Sequence, residues 1–228
     1  MPKTEFRTRK DGTVYPIRGK RGGKLLGAGV AAVLVYSGGT TGSLSLGGAA
    51  GGTGSAELSA ADSAVVRTVR RNTARSKQLA RQGKRSRTWS RMRLRRGNRT
   101  REEAAECALF SHGQVREFFL EHPCRRLDRV QFPLTDRADN TVTVLVSWVR
   151  MRGRGQARRL RNLIDVHGTG DIRPVLPGTR FTGHHYDSKP RGDTLVVAEA
   201  EPVRGRPPRQ VLRTVPEVAV ELPPPGRR

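Results

Sequence analysis

The sequence predicts an α+β fold class: a small C-terminal domain with helices on one face of a mostly antiparallel sheet, preceded by a single transmembrane helix and a basic helical or disordered linker. Three observations lead to this prediction. Residues 25–56 contain no charged side chain, although the 228-residue chain has a formal net charge of +24. Residues 63–101 hold 15 cations and no acid. Most of the Phe, Val, Leu and Ile residues lie in 104–222, where one modest core is expected.

The first segment, residues 1–24, is a basic head with eight cations against Glu5 and Asp11. Asp11 and Gly12 form a strong two-residue hairpin signal, with 6–10 and 13–17 as the strands that would pair. A lone hairpin is marginally stable in water. The composition favours the alternative, a disordered basic tail that only fixes membrane topology.

Residues 25–46 are the predicted transmembrane helix. The strongly apolar part, 25–36, is shorter than the roughly 20 residues that span a bilayer, so the helix must extend into the Ser, Thr and Gly residues that follow. A cleaved secretory signal and a buried segment of a soluble protein are the two alternatives. The long basic head favours an anchor. Because the first cation after this helix is Arg67, the charge distribution predicts a cytoplasmic N-terminus and a C-terminal domain outside the cell membrane.

A Gly/Ser/Ala-rich spacer, 47–62, leads to the Arg-rich segment 63–101. Helix-forming residues predominate in this segment, but it lacks the acids that would form stabilising i,i+4 ion pairs, so a helix there needs counter-ions or a polyanionic partner. The alternative is a solvated, partly disordered linker. We predict polyanion binding by a set of cations within the segment, namely Arg67, Arg70, Arg71, Arg75, Lys77, Arg81, Lys84, Arg85, Arg87, Arg91, Arg93, Arg95 and Arg96.

The partner of this segment is predicted only by class. An acidic surface polymer, anionic lipid headgroups and nucleic acid all present the negative charge that arginines bind. No helix-turn-helix, zinc-finger or RNA-binding aromatic pattern accompanies the charge, so sequence-specific recognition is not expected. A soluble cytoplasmic nucleic-acid-binding protein is the alternative to a membrane protein.

Residues 102–222 form the predicted α+β domain, and 223–228 are a Pro/Arg tail. We expect a short helix over 102–109 and a second helix that begins at Ser111, with Gln114 completing a capping box. The remaining predicted elements are strands over 130–135 and 141–149 joined by the loop 136–140, a helix over 154–166, a hairpin of 180–186 and 194–200, a short helix over 209–214 and a final strand over 218–222.

Cys107 and Cys124 are the only cysteines. One continuous helix would hold them more than about 20 Å apart, but a new helix beginning at Ser111 lets the chain fold back and brings a disulfide within reach. Buried free thiols are the second alternative. A zinc site that adds His112 and His122 is the third, although its spacing is unusual, and we predict no metal.

Candidate catalytic residues are few. His185 and Asp187 share one face of a predicted strand, but no nucleophile pattern or phosphate-cradling glycine loop accompanies them. We therefore predict a non-enzymatic protein without a cofactor. The surface of the α+β domain is then a candidate site for a protein partner.

The run from 106–113 through 148–151, together with 181–186 and 197–200, carries a resemblance. Residues 106–113 (ECALFSHG), 148–151 (WVRM), 181–186 (FTGHHY) and 197–200 (VAEA) resemble uncharacterised proteins of high-GC actinobacteria. The resemblance covers about the last half of the chain and implies a bacterial cell membrane with a thick wall outside it. The predicted function is thus a single-pass membrane protein that presents an α+β interaction domain and binds a polyanion or lipid headgroups through its cationic segment.

Overall fold

The computed structural model describes residues 5–8, 14–17 and 60–226, with side chains from residue 63. The chain divides into two compact units, 1–53 and 54–228. In the first unit, strands β1 (Glu5–Thr8) and β2 (Val14–Ile17) pair antiparallel, which is the hairpin alternative for the basic head. The predicted transmembrane helix, 25–46, lies outside the described residues. No helix in the described part of the chain is long and apolar enough to cross a bilayer.

The described residues of the second unit form five α-helices, a 3-10 helix and six strands. In chain order they are α1 (Ala60–Arg81), α2 (Arg85–Arg91), β3 (Arg95–Arg96), β4 (Thr100–Ala104), the 3-10 helix (Cys107–Phe110), α3 (Gly113–Glu121), β5 (Arg126–Thr135), β6 (Thr141–Arg150), α4 (Arg154–Ile164), β7 (Tyr186–Arg191), β8 (Thr194–Arg204) and α5 (Arg209–Ala219).

All strand pairs in this unit are antiparallel, and the order across the sheet is β3-β5-β6-β8-β7, with β4 also paired to β5. The β5–β6 hairpin has its loop at 136–140, as the sequence predicts. Asp136 stabilises this loop, because its Oδ1 accepts hydrogen bonds from the backbone N–H groups of Ala138 at 2.8 Å and Asn140 at 3.0 Å. The α+β class and the mostly antiparallel sheet are therefore confirmed.

Helices cover both faces of the sheet, whereas the sequence analysis placed them on one. Alternate residues of β6 and β8 point to opposite faces, so Val144 and Val196 join a core with α1 and α5. Val149 and Leu195 belong to a second core with α3 and α4. The nearly continuous apolar run in β6 is the sequence signal for a strand buried on both faces.

The Arg-rich segment belongs to the folded domain, which begins well before the expected boundary at residue 102. Val69 and Ala80 of α1 are fully buried, and so are Trp89, Met92 and Leu94 after it. Trp89 packs against Phe132 of β5, with 5.8 Å between ring centroids. The widely spaced apolar residues of this segment therefore cover one face of the sheet. The cations lie between these apolar residues in the sequence.

Several predicted elements differ from the structure. Residues 102–109 form β4 and the 3-10 helix rather than a helix. His112, not Ser111, is the N-cap of α3, because the Ser111 hydroxyl donates to the Cys107 carbonyl instead. Residues 186–191, not 180–186, pair with β8, and the turn lies at Gly192, where φ is +65°.

The final predicted strand, 218–222, is also wrong, because α5 continues through Ala219. Val211, Val215 and Val218 recur at helical spacing and are buried in the first core. This helical periodicity prevails over the short alternating pattern at the end of the helix.

The end of α5 is anchored by a buried carboxylate. Glu221, whose side chain is 6% exposed, accepts hydrogen bonds from Arg81 of α1 at 2.8 Å, Lys189 of β7 at 2.6 Å and Arg191 of β7 at 3.1 Å. Hydrogen bonds from Arg81 and Lys189 lower the pKa of Glu221 to about 2. One acid thus joins two helices to an edge strand.

We predict that Glu221→Gln lowers the free energy of unfolding at pH 7 by about 2–3 kcal/mol, because three cations lose their common counter-charge. The native carboxyl has the lower pKa, so its contribution is present above its ordinary value of 4.5 and is lost as pH falls towards 2. Urea unfolding between pH 7 and pH 2 measures this difference, which should disappear at the acid end.

Glu217→Gln is the matched control, since Glu217 is 41% exposed and, among the residues described here, pairs with Lys77 alone. Its cost should stay below about 1 kcal/mol. An equal loss in both variants would contradict a special role for Glu221.

Candidate functional site: a cationic surface

The cations of α1 form two rows with different partners. Arg70, Lys77 and Arg81 lie on the side that contacts α5. Arg70 donates to Gln210 at 3.4 Å, and Lys77 and Arg81 pair with Glu217 and Glu221. Acids that are distant in the sequence thus supply Lys77 and Arg81 with the ion pairs that the segment itself lacks, and these two cations are structural. Arg70 is exposed, and its described partner is an uncharged amide.

The second row of α1 consists of Arg67, Arg71 and Arg75, spaced four residues apart on the exposed side. Within the described residues, none of the three pairs with a carboxylate. The cationic surface continues through α2 and the turn after it. We define it as the exposed side chains without a described carboxylate partner, which are Arg67, Arg70, Arg71, Arg75, Lys84, Arg87, Arg91, Arg93 and Arg99.

The other predicted polyanion-binding residues have different surroundings. Arg95 is exposed and lies 3.7 Å from Asp139. Arg85 and Arg96 are half-buried. Burial lowers the pKa of Arg85, and the positive charges of Arg99, Arg96 and Arg101 lower it further. Guanidinium groups at the end of the segment are therefore concentrated in one place.

Three of the arginines that lie close together here were not predicted from the sequence. Arg99 and Arg101 belong to the same basic segment, but they were not selected. Arg126 lies on β5 and lines an open cleft with Arg85, Arg99 and Arg101. The pairing of β4 with β5 brings it there, and no local sequence signal indicates this long-range neighbour.

The two cysteines are joined in a disulfide, with 6.0 Å between their Cα atoms. The 3-10 helix ends before Ser111, and the chain reverses into α3, so that Cys124 returns to Cys107. Both residues are buried in the second core. A disulfide that closes a loop of this size stabilises a fold by about 3 kcal/mol, and these sulfurs are not available as zinc ligands.

His185 and Asp187 line a shallow pocket beside α1 and α5, together with Lys77, Arg213 and Glu217. Burial raises the pKa of Asp187, and the charge of Glu217 adds to the rise. No serine, threonine or cysteine lines this pocket. The neighbours of the pair are charged groups of the two helices, an arrangement typical of a surface ion-pair network.

A pair of acids that was not predicted from the sequence lies on the opposite face of the sheet. Glu199 of β8 is 3% exposed and donates a hydrogen bond to Asp171 in the loop 165–185. Burial raises the pKa of Glu199 to about 9, and the charge of Asp171 adds to the rise. Burial also raises the pKa of Asp171. The sequence signal is an acid within the apolar run 195–200.

The sheet positions this loop through buried polar side chains. Gln131 Oε1 accepts hydrogen bonds at 3.0 Å from the backbone N–H groups of Val175 and Leu176, and Arg129 donates to the Arg173 carbonyl at 2.7 Å. The part of the loop that follows Asp171 is therefore held on β5 by several contacts. The loop and the sheet enclose a cleft of about 700 Å³, with Glu199 and Asp171 among its lining residues.

Within residues 63–226, no group of three or more His, Cys, Asp or Glu side chains is arranged to hold a metal ion. Comparisons with protein-family models, curated proteins and solved structures give no match to this chain.

We predict that Glu199→Gln makes the domain less sensitive to pH. In the native protein, the folded state keeps a proton on Glu199 that the unfolded state releases above its ordinary pKa of 4.5, so stability falls as pH rises from about 4.5 to 9. The free energy of unfolding falls by up to about 1.4 kcal/mol per pH unit where the folded state binds one proton more than the unfolded state. Chemical unfolding across this range should give a flatter profile for the variant.

Glu201→Gln is the control for this change, because Glu201 is more exposed and accepts hydrogen bonds from Thr182. It should leave the alkaline slope in place. If the free energy of unfolding of the native protein stays constant from pH 5 to pH 9, the proton retained on Glu199 is contradicted.

Proposed function

We propose that this chain is a non-enzymatic, single-pass membrane protein whose α+β domain lies outside the cell membrane and binds an anionic polymer. Residues 25–46 provide the anchor, and the cationic surface of α1 and α2 provides the binding face. Binding is electrostatic and independent of monomer sequence, because the surface consists of separate guanidinium and ammonium groups.

The observation that carries this proposal is that some cations of α1 have carboxylate partners, whereas others are exposed without a described one. A segment of 15 cations and no acids folds with two cations of α1, Lys77 and Arg81, paired with acids in and just after α5. The second row of α1 remains exposed on a packed helix, at fixed spacing, without described carboxylate partners. A rigid array of uncompensated positive charge favours an extended partner of opposite charge.

The disulfide supports a position outside the membrane. Disulfides persist in oxidising compartments and are rare in the bacterial cytosol. The basic head before residue 25 favours the same orientation. Together these features favour a surface polymer over cytoplasmic nucleic acid, which remains the alternative partner for the same cations.

We predict that Arg67, Arg71 and Arg75 contribute directly to polymer binding. The triple variant with Gln at these positions should elute from immobilised polyphosphate at lower salt than the native, detergent-solubilised full chain. In nucleic-acid systems each lost contact reduces the slope of log K against log salt by about 0.7–0.9, so a reduction of about 2–3 is expected.

The matched control replaces Arg154, Arg158 and Arg159 of α4 with Gln. These three arginines are also exposed and lack described carboxylate partners, but they lie on the opposite face of the sheet. Equal shifts in the two triple variants would contradict a dedicated face. Tight retention on DNA with none on polyphosphate would favour the cytoplasmic alternative.

The location is tested in a bacterial host with a C-terminally tagged chain. We expect the protein to remain in carbonate-washed membranes, the tag to be removed by protease added to intact protoplasts, and trapped Cys107 and Cys124 to be oxidised. A protected tag with reduced cysteines would contradict the external orientation. Release from membranes by high salt would contradict the anchor.

A further inference from the structure

The arginine cleft is a concave site formed by four separate parts of the domain. Its charged lining consists of Arg85 of α2, Arg99 before β4, Arg101 and Glu103 of β4, and Arg126 of β5. Pro225 and Gly226 complete the wall. The cleft is open and has a volume of about 720 Å³, within the range of about 300–1,000 Å³ that is usual for small-ligand sites.

Two arginines of the cleft have carboxylate partners. Arg126 donates to Asp128 at 2.6 Å and lies 2.9 Å from Glu103. Arg101 lies 3.2 Å from Asp128 and 3.3 Å from Glu103. Two cations and two acids therefore balance one another at one side of the cleft.

The remaining guanidinium groups are not balanced in this way. Arg85 donates to the backbone carbonyls of Pro223 at 3.0 Å and Pro224 at 3.3 Å, and these acceptors carry no net charge. Arg99 is exposed, and Arg96 lies near enough for its charge to act on Arg85. Three positive charges thus converge without a described carboxylate, and an anion placed among them would relieve their mutual repulsion.

We propose that this cleft is a specific site for the phosphate groups of the anionic polymer. The inference rests on the proposed function and identifies the charged group that the polymer carries. Planar guanidinium groups donate paired hydrogen bonds to phosphate oxygens, and several arginines that approach one point favour a group with more than one negative charge. The exposed row of α1 would then follow the rest of the polymer without selecting its chemistry.

The test is a calorimetric titration of the detergent-solubilised full chain with pyrophosphate at low ionic strength. We expect one site per chain, and Arg99→Gln should weaken it about tenfold because a charge-assisted contact is lost. Glu103→Gln should instead tighten it about three- to tenfold, because it removes the carboxylate that lines the cleft. General damage to the fold would not increase affinity.

Arg158→Gln on α4 is the control, with the same change in charge on the other face of the sheet, and it should leave pyrophosphate affinity unchanged. Unaltered affinity in both cleft variants, or weakening in both, would overturn the phosphate site. Such a result leaves the proposed function standing if the triple variant of α1 still elutes early. In the reverse outcome, the cleft variants change pyrophosphate affinity as expected, but the triple variant of α1 elutes like the native chain. That result would contradict the assignment of α1 as the polymer-binding face.

The source of the phosphate is tested by competition. Soluble polyphosphate should displace pyrophosphate from the cleft, and phosphatidylglycerol vesicles should not. Displacement by the vesicles alone would overturn a polymer as the ligand. Citrate, which carries carboxylates, should compete at least tenfold more weakly than pyrophosphate, and equal competition would contradict selection for phosphate.

Discussion

The fold depends on the burial of Glu221 among three cations. A segment as basic as 63–101 repels itself along its length, and a fixed negative charge near the end of α1 offsets part of this repulsion. Glu221 provides that charge from the end of α5 and also binds Lys189 and Arg191 of the edge strand. The neighbouring residue extends the anchor, because the Trp148 indole donates to the Leu222 carbonyl at 3.0 Å. Two helices, a central strand and an edge strand therefore meet at one short stretch of chain.

The parts of the fold that depend on local patterns could be predicted from the sequence. The helix α4 was predicted from the inward positions of Ala157, Leu160, Leu163 and Ile164. Three of these residues are buried, and Leu163 is half-buried. The β5–β6 hairpin followed from its loop residues. The coverage of both sheet faces was missed, because the apolar residues of α1 are few and are separated by arginines. Long-range contacts with α5 and the sheet, rather than local composition, determine that this segment folds.

The candidate site shows the same division. The sequence identified a basic segment, but it could not divide the cations between structure and surface, since that division depends on which helix side faces α5. Nor could it bring Arg126 beside Glu103, because that contact depends on the antiparallel pairing of β4 with β5. The pair of Glu199 and Asp171 depends on a loop that crosses back over β8. In each case the chemistry arises from residues that are distant in the chain.

The two edges of the sheet have a consequence for self-association. An unpaired strand edge offers backbone groups to other chains, and proteins commonly protect such edges with charge and proline. At one edge, β7 carries Lys189, Pro190 and Arg191. At the other, β4 carries Arg101 and two acids and occupies the edge of β5 together with β3. On the proposed polymer, neighbouring molecules would thus be held close together without forming a continuous intermolecular sheet, so that crowding would not by itself cause aggregation.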